Sequence, residues 1–261
     1  MALITETYLR ARLVSGIPNP FPLSEGDKLT PAAADFLKNR GIATTRLASD
    51  PVHLRESAKS GGLTMPVGVS NRHVHLSPEH VEALFGPGYS LTPLRELSQK
   101  GQFAAKETVT LVGPKGIIPH VRILGPSRGA SQVEISRTDG FTLGIHPEVR
   151  LSGNIEGTPG ITLVSEKAAL VLQQGLIVAK NHVHMSPDDA ERFQVVNGDS
   201  LIVQTLGDRP VLFADVIVRV NPKFSLDFHI DNDEANAAYL RTGDVVRVIG
   251  INGELTGSVR G

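Results

Sequence analysis

Over most of this chain, apolar residues recur at every second position in short runs. The runs are closed by glycine, proline or asparagine, a pattern that predicts β-strands joined by turns. Strands are expected at residues 108–112, 120–124, 132–136, 200–204, 211–220 and 244–251, separated by turn signals such as Gly113-Pro114, Asn197-Gly198-Asp199 and Asn252-Gly253. The first 63 residues read differently. Leu3, Ile4, Thr7, Tyr8, Ala11 and Val14 share one face of a helical projection, and Ser15-Gly16 ends that helix. Residues 17–22 hold three prolines and read as a stiff linker, and Thr30, Pro31 and Gly41 mark the cap, first turn and end of a second helix. The expected fold is mainly β with a helical N-terminal extension. That extension is either packed on the main domain or a detachable helix that docks on a partner.

An approximate repeat runs through the β-rich part. Residues 67–84 read VGVSNRHVHLSPEHVEAL and residues 177–193 read IVAKNHVHMSPDDAERF, with His73 and His182 separated by 109 positions. Two such units predict a duplicated architecture of two similar barrels. In each unit a strand leads into His-Val-His, and Ser77-Pro78 or Ser186-Pro187 then caps a short helix. Side chains at i and i+2 of a strand share a face, about 6.6 Å apart along it. His73 with His75, and His182 with His184, can therefore converge on one ion while the valine between them points inward. A catalytic zinc needs a third ligand. In residues 226–231 the apolar positions alternate with Asp227, His229 and Asp231, so His229 is a candidate and the two aspartates are candidate acceptors for its ring. On spacing alone, Glu134 reads as a solvent-facing strand position and Arg128 as a solvated turn residue. Arg128 nonetheless lies among small residues in Gly125-Pro126-Ser127-Arg128-Gly129, a setting that suits capture of an oxyanion. His53, His80, His120 and His146 have no partner at ligand spacing.

Composition narrows the chemistry. The chain has 261 residues, a formal net charge of -1 and 40% hydrophobic residues, which gives no electrostatic reason to expect nucleic acid. No apolar run approaches the roughly 20 residues that span a bilayer. There is no cysteine, so disulfides, thiolate ligands and thiol nucleophiles are excluded, and a cytoplasmic setting follows. A transition metal must be held by His, Asp or Glu, a set that also accepts cobalt, nickel or manganese.

SNRHVHLS at 70–77, GPSRGASQVEIS at 125–136, NHVHMSPDD at 181–189 and DFHIDNDEAN at 227–236 together resemble the phosphate propanoyltransferases, the phosphotransacylases of bacterial microcompartments. The likeness extends over residues 64–249. It implies two β-barrels capped by short helices, one from 64–71 plus 180–250 and the other from 72–179, with 1–63 as the extension. It implies one zinc on His73, His75 and Glu134 and a second on His182, His184 and His229, with Arg128 contacting phosphate. It further implies that Ser70, Arg95, Arg122 and Asn236 lie near coenzyme A. The implied reaction interconverts a short-chain acyl-CoA, such as propanoyl-CoA, plus phosphate with acyl phosphate plus CoA. The implied setting is a homodimer in the microcompartment lumen, as in propanediol degradation, directed by its N-terminal helix to shell or core proteins.

Two other readings fit the histidines. A binuclear zinc hydrolase would use metal-bound water. Amidohydrolase barrels, which also carry His-x-His after a strand, need an alternation of strands and helices that this chain lacks. A metal-stabilised β scaffold without activity is the non-enzymatic alternative.

Overall fold

The alternating runs become strands: Phe103–Val112, Ile117–Gly125 and Ser200–Thr205 are longer than their sequence cores, Leu212–Val220 and Val245–Ile251 each begin one residue later than expected, and Gln132–Glu134 stops short because Ser136 caps a helix. The structure, a computed structural model, describes residues 3–13, 16–23, 28–46 and 62–255. The chain divides into two units, Met1–Gly61 and Gly62–Gly261.

In the second unit, six strands close a barrel in the order Ser200–Thr205, Leu212–Val220, His182–Met185, Asp227–Asp231, Thr64–Ser70 and Val245–Ile251. The last pairs back to the first. Every second residue points inward, so Leu201 and Val203, Val216 and Val218, and Val246 and Val248 meet Phe193, Phe228 and Met65 in one core. A second sheet of nine strands runs from Val149–Arg150 through Leu176–Ala179, Gln132–Glu134, His73–His75, Ile117–Gly125, Phe103–Val112 and Ile161–Val164 to Ala169–Leu172. Pro93–Glu96 also pairs with Phe103–Val112. This sheet curls into a half-barrel and does not close, which corrects the expectation of two barrels. Its end strands are short and do not pair with each other. The helix Pro78–Phe85 instead packs Val81, Leu84 and Phe85 into the core that closure would have covered.

Four short helices follow strands that carry candidate site residues, and each is started by a side chain that accepts a backbone N–H. Ser77 caps Pro78–Phe85, Ser136 caps Arg137–Leu143, Ser186 caps Pro187–Phe193 and Asp231 caps Asn232–Ala238. The last three are full capping boxes closed by Asp139, Asp189 and Glu234. In all four the cap lies two residues beyond a site position: His75, Glu134, His184 and His229. The cap turns the chain sharply and pins the direction of the side chain before it.

The first unit is not the helical extension that the pattern suggested. Leu3–Ile4 pairs in parallel with Lys28–Leu29, so Thr5 caps a helix of only six residues, Glu6–Ala11. The expected apolar stripe is not the buried face: Tyr8, which lies on it, is exposed, while Leu9, which lies off it, is buried along with Ile4. Val14 and His53 lie outside the described residues. Within residues 17–22, Phe21 and Pro22 belong to a strand, Phe21–Leu23, paired with Thr44–Arg46, and not to a free linker. The helix Pro31–Asn39 forms as expected behind Thr30, and its Phe36 and Leu37 join Leu9, Phe21 and Leu23 in a small core. The unit is a miniature α/β fold with its own interior.

Candidate active site

Both His-Val-His tripeptides fold as strands. Val74 and Val183 are fully buried, each contributing about 1.5–3 kcal/mol that holds the flanking rings on the opposite face. Neighbouring strands then supply the third member of each set by register. Glu134 lies opposite His73 in one antiparallel pair, and His229 lies opposite His182 in the other. Two groups result, His73 with His75 and Glu134, and His182 with His184 and His229. In each, the candidate ligand atoms all lie within 4.8 Å of one another. The repeat seen in the chain is thus a repeat in the sheets.

The residues fit divalent metal. In both groups the first histidine has Nδ1 2.8 Å from the backbone carbonyl two residues back, Asn71 for His73 and Lys180 for His182. An Nδ1–H donated there leaves the Nε2 lone pair free to face the cleft. His182 Nε2 and His184 Nε2 are 3.1 Å apart, and His73 Nε2 is 3.4 Å from Glu134 Oε2. Tetrahedral ligands at zinc bond lengths would be spaced about 3.3 Å apart. His184 Nδ1 is buried without a hydrogen-bond partner.

Electrostatics favour the same chemistry. Burial, reinforced by neighbouring ring charges, lowers His75 to about 3, His182 to about 4 and His184 to about 2, so these rings keep the unprotonated nitrogens that bind metal. Burial alone would raise Glu134. His73 and His75 outweigh it and hold the carboxylate ionised. Gln132, opposite His75, donates its amide to Glu134 Oε1 at 2.6 Å and to Ser152 Oγ at 2.9 Å, and accepts from the Gly153 N–H at 2.7 Å. In the second group Asp227, opposite His184, lies 3.0 Å from His229 Nε2. A side chain on Gly68 would put a Cβ 2.7 Å from the Asp227 carboxylate, so glycine there makes room for it. Asp231, the other aspartate considered for this ring, is occupied as a helix cap.

Both groups line one cleft of about 780 Å³. Ser70, Arg95, Arg122 and Arg128 line it too. Arg122 donates to the carbonyls of Ala105 and Lys106, while Arg95 is exposed. Asn236 stands exposed on Asn232–Ala238 and is not among the lining residues. The loop bearing Arg128 is fastened at both sides of the arginine: its N–H donates to Leu76 O, and Ser131 Oγ accepts from the Ser77 N–H and lies 2.6 Å from His80 Nδ1. Sequence reasoning left His80 as a surface or satisfied histidine and passed over Gln132, Ser152 and Arg219, all three of which line the cleft. The capping boxes beginning at Ser136 and Asp231 were legible signals for where the third members sit.

The profile of the phosphate propanoyltransferases matches residues 66–241. A phosphate propanoyltransferase of Thermotoga maritima is 58% identical over 184 residues, 70% of this chain and 88% of the relative. One of Salmonella typhimurium is 55% identical over 175 residues, 67% of this chain and 83% of the relative. One of Lachnoclostridium phytofermentans is 48% identical over 206 residues, covering 78% and 96%. On these matches the chain belongs to the phosphate propanoyltransferase family, a family of acyltransferases.

Proposed function

We propose that this enzyme interconverts a short-chain acyl-CoA plus phosphate with acyl phosphate plus CoA, propanoyl-CoA being the expected substrate, and that each His-rich group holds one zinc. The reading is carried by the paired register. Two separate strand pairs bring three ligand-type residues each into a single cleft, with His73 and His182 pre-oriented by backbone carbonyls. When bound, the ions supply Lewis acidity for the carbonyl oxygen and stabilise the leaving thiolate.

The chain's own residues do the rest. His73 and His182 hold their protons at Nδ1 on backbone carbonyls and keep Nε2 aimed into the cleft. Gln132 and Asp227 fix the partners Glu134 and His229. Arg128 orients the phosphate dianion against the thioester, which removes the electrostatic penalty of bringing an anion to a carbonyl that gains negative charge. Phe224 stacks on His184 with centroids 4.2 Å apart and shields that ring from water. Among the serines near the ligands, Ser136 caps a helix, Ser152 accepts from Gln132, and Ser70, with Oγ 3.4 Å from His73 Nδ1, meets a nitrogen whose proton is held by the Asn71 carbonyl and so has no base there. Direct attack by phosphate in a ternary complex therefore needs no acyl-enzyme, and an acylated residue trapped by mass spectrometry would count against it.

Ser70, Arg95 and Arg122 are proposed to contact CoA inside the cleft, with exposed Arg95 free for its phosphates. Asn236 fits only a part of CoA that reaches beyond the lining. The Met1–Gly61 unit is proposed to bind microcompartment shell or core proteins and to direct a homodimer to the lumen.

The test is CoA release from acyl-CoAs of increasing chain length, with and without phosphate and with and without chelator. Phosphate-dependent release abolished by chelation is expected. Release of free carboxylate in phosphate-free buffer would replace this reading with a hydrolase.

A further inference from the structure

Arg219 has no counterpart among the motifs that drew attention to the site. It lies in Leu212–Val220, in parallel register with His184, so its side chain leaves the barrel wall on the same face as that ring and lines the cleft. Its neighbours Val216 and Val218 are fully buried on the other face, which fixes the direction. Burial disfavours its charge, yet its guanidinium has no hydrogen-bond or ion-pair partner among the described residues.

The charges around it make the arrangement costly as it stands. Arg128 is near enough to Arg219 for the two cations to repel. The one carboxylate that attracts both is Glu134, and Glu134 is already engaged by His73 and Gln132. Arg128 comes from the loop after Ile117–Gly125 in the open sheet, and Arg219 from the closed barrel. Two planar forks without a committed anion, supplied by two different sheets, match a tetrahedral dianion with oxygens to offer each of them.

We propose that Arg219 is a second phosphate-binding residue, gripping the attacking phosphate together with Arg128. This rests on the phosphate acyltransferase reading above. A phosphate oxygen forms the C–O bond to the acyl carbon. The C–S bond breaks with its electron pair going to sulfur, and the proton of hydrogen phosphate ends on the released CoA thiol. Both arginines stay protonated throughout. They neutralise the dianion and aim its oxygen.

The experiment compares the zinc-loaded full chain with R219Q and R219K, which retains the charge if R219Q proves unstable. With propanoyl-CoA as substrate, the KM for phosphate should rise about tenfold to a hundredfold in R219Q and less in R219K, the loss expected of one charge-assisted hydrogen-bond pair. The KM for propanoyl-CoA and the zinc content should stay at wild-type values, and the Tm without phosphate should not fall. In parallel, the rise in Tm with added inorganic phosphate should be reduced in both variants, a binding readout that needs no turnover. An unchanged phosphate KM overturns the inference, as does a shift confined to the CoA KM, which would hand Arg219 to the nucleotide phosphates. Loss of zinc with unaltered phosphate stabilisation would make it structural. If the wild type shows no phosphate-dependent CoA release, the proposed function fails by itself, and the phosphate-induced Tm shift still decides whether Arg219 binds phosphate.

Discussion

Replacing Gln132 by leucine tests how far the Glu134 carboxylate depends on the residue beside it. Gln132 is buried and uses its amide fully: it donates to Glu134 and Ser152 and accepts from the Gly153 N–H. Leucine keeps much of the volume and removes all three bonds. One of them is to an ionised carboxylate, of a kind worth about 1.5–3 kcal/mol, whereas Gly153 is exposed and its N–H can turn to water. A net destabilisation of about 2 kcal/mol is therefore expected for the metal-free protein. For a unit of this size that is a fall in Tm of about 4–8 °C. Freed from its orienting bond, Glu134 should also lower zinc affinity at its group by roughly tenfold to a hundredfold. The assays are thermal unfolding after chelation and zinc titration against a competing chelator, with His75→Ala as the reference for complete loss of that group. Unchanged Tm together with zinc affinity within threefold of wild type would refute the argument, because it would mean that Glu134 is held by the sheet register alone.

Other outcomes follow from the same geometry. Gly68→Ala places a methyl 2.7 Å from the Asp227 carboxylate. It should cost about 1–3 kcal/mol by overpacking and weaken zinc at the His229 group while sparing the Glu134 group, as read by zinc stoichiometry after mild chelation. In the metal-free protein, His75, His182 and His184 hold folded values of about 3, 4 and 2, below the usual 6.5. The unfolded chain then binds more protons below pH 6.5, so stability is intact above that point. It falls as pH drops toward 4, by up to about 1.4 kcal/mol per group per pH unit. His73, raised by Glu134 against the effect of burial, opposes this in part. Unfolding at pH 8, 6.5 and 5 checks it, and a flat profile would contradict it. Deleting residues 1–61 should leave kcat and the KM values unchanged, because that unit has its own core, whereas a cut after residue 22 severs the strand Phe21–Leu23 and should release poorly folded material, seen by limited proteolysis.

What could be read from the chain depended on range. His73-Val74-His75 and His182-Val183-His184 were legible because convergence at i and i+2 is a local property of extended backbone. Glu134 and His229 belong to the same groups only through strand register set by distant pairing, and no window of sequence contains that fact; for Glu134 and Arg128 the family likeness did what spacing could not. Arg219 escaped notice for the same reason, its relation to His184 being a cross-strand one. The N-terminal stripe misled because a helical projection counts faces and ignores competitors: Leu3–Ile4 found a strand partner in Lys28–Leu29, and Thr5 then began the helix later. The open second sheet was hidden too, since two similar tripeptides say nothing about whether the sheets around them close.

The first strand of the closed barrel, Thr64–Ser70, is bonded on both sides by segments made more than 150 residues later, Asp227–Asp231 and Val245–Ile251. A ribosome adding about 5–20 residues per second therefore leaves it unpaired for roughly 10 to 35 seconds after it emerges. During that interval His182, His184 and His229 have no finished wall to stand on, so the group that we propose holds an ion is assembled only after Val245–Ile251 has been made. Newly made chains should be most prone to misassembly in this window, well before any substrate is met.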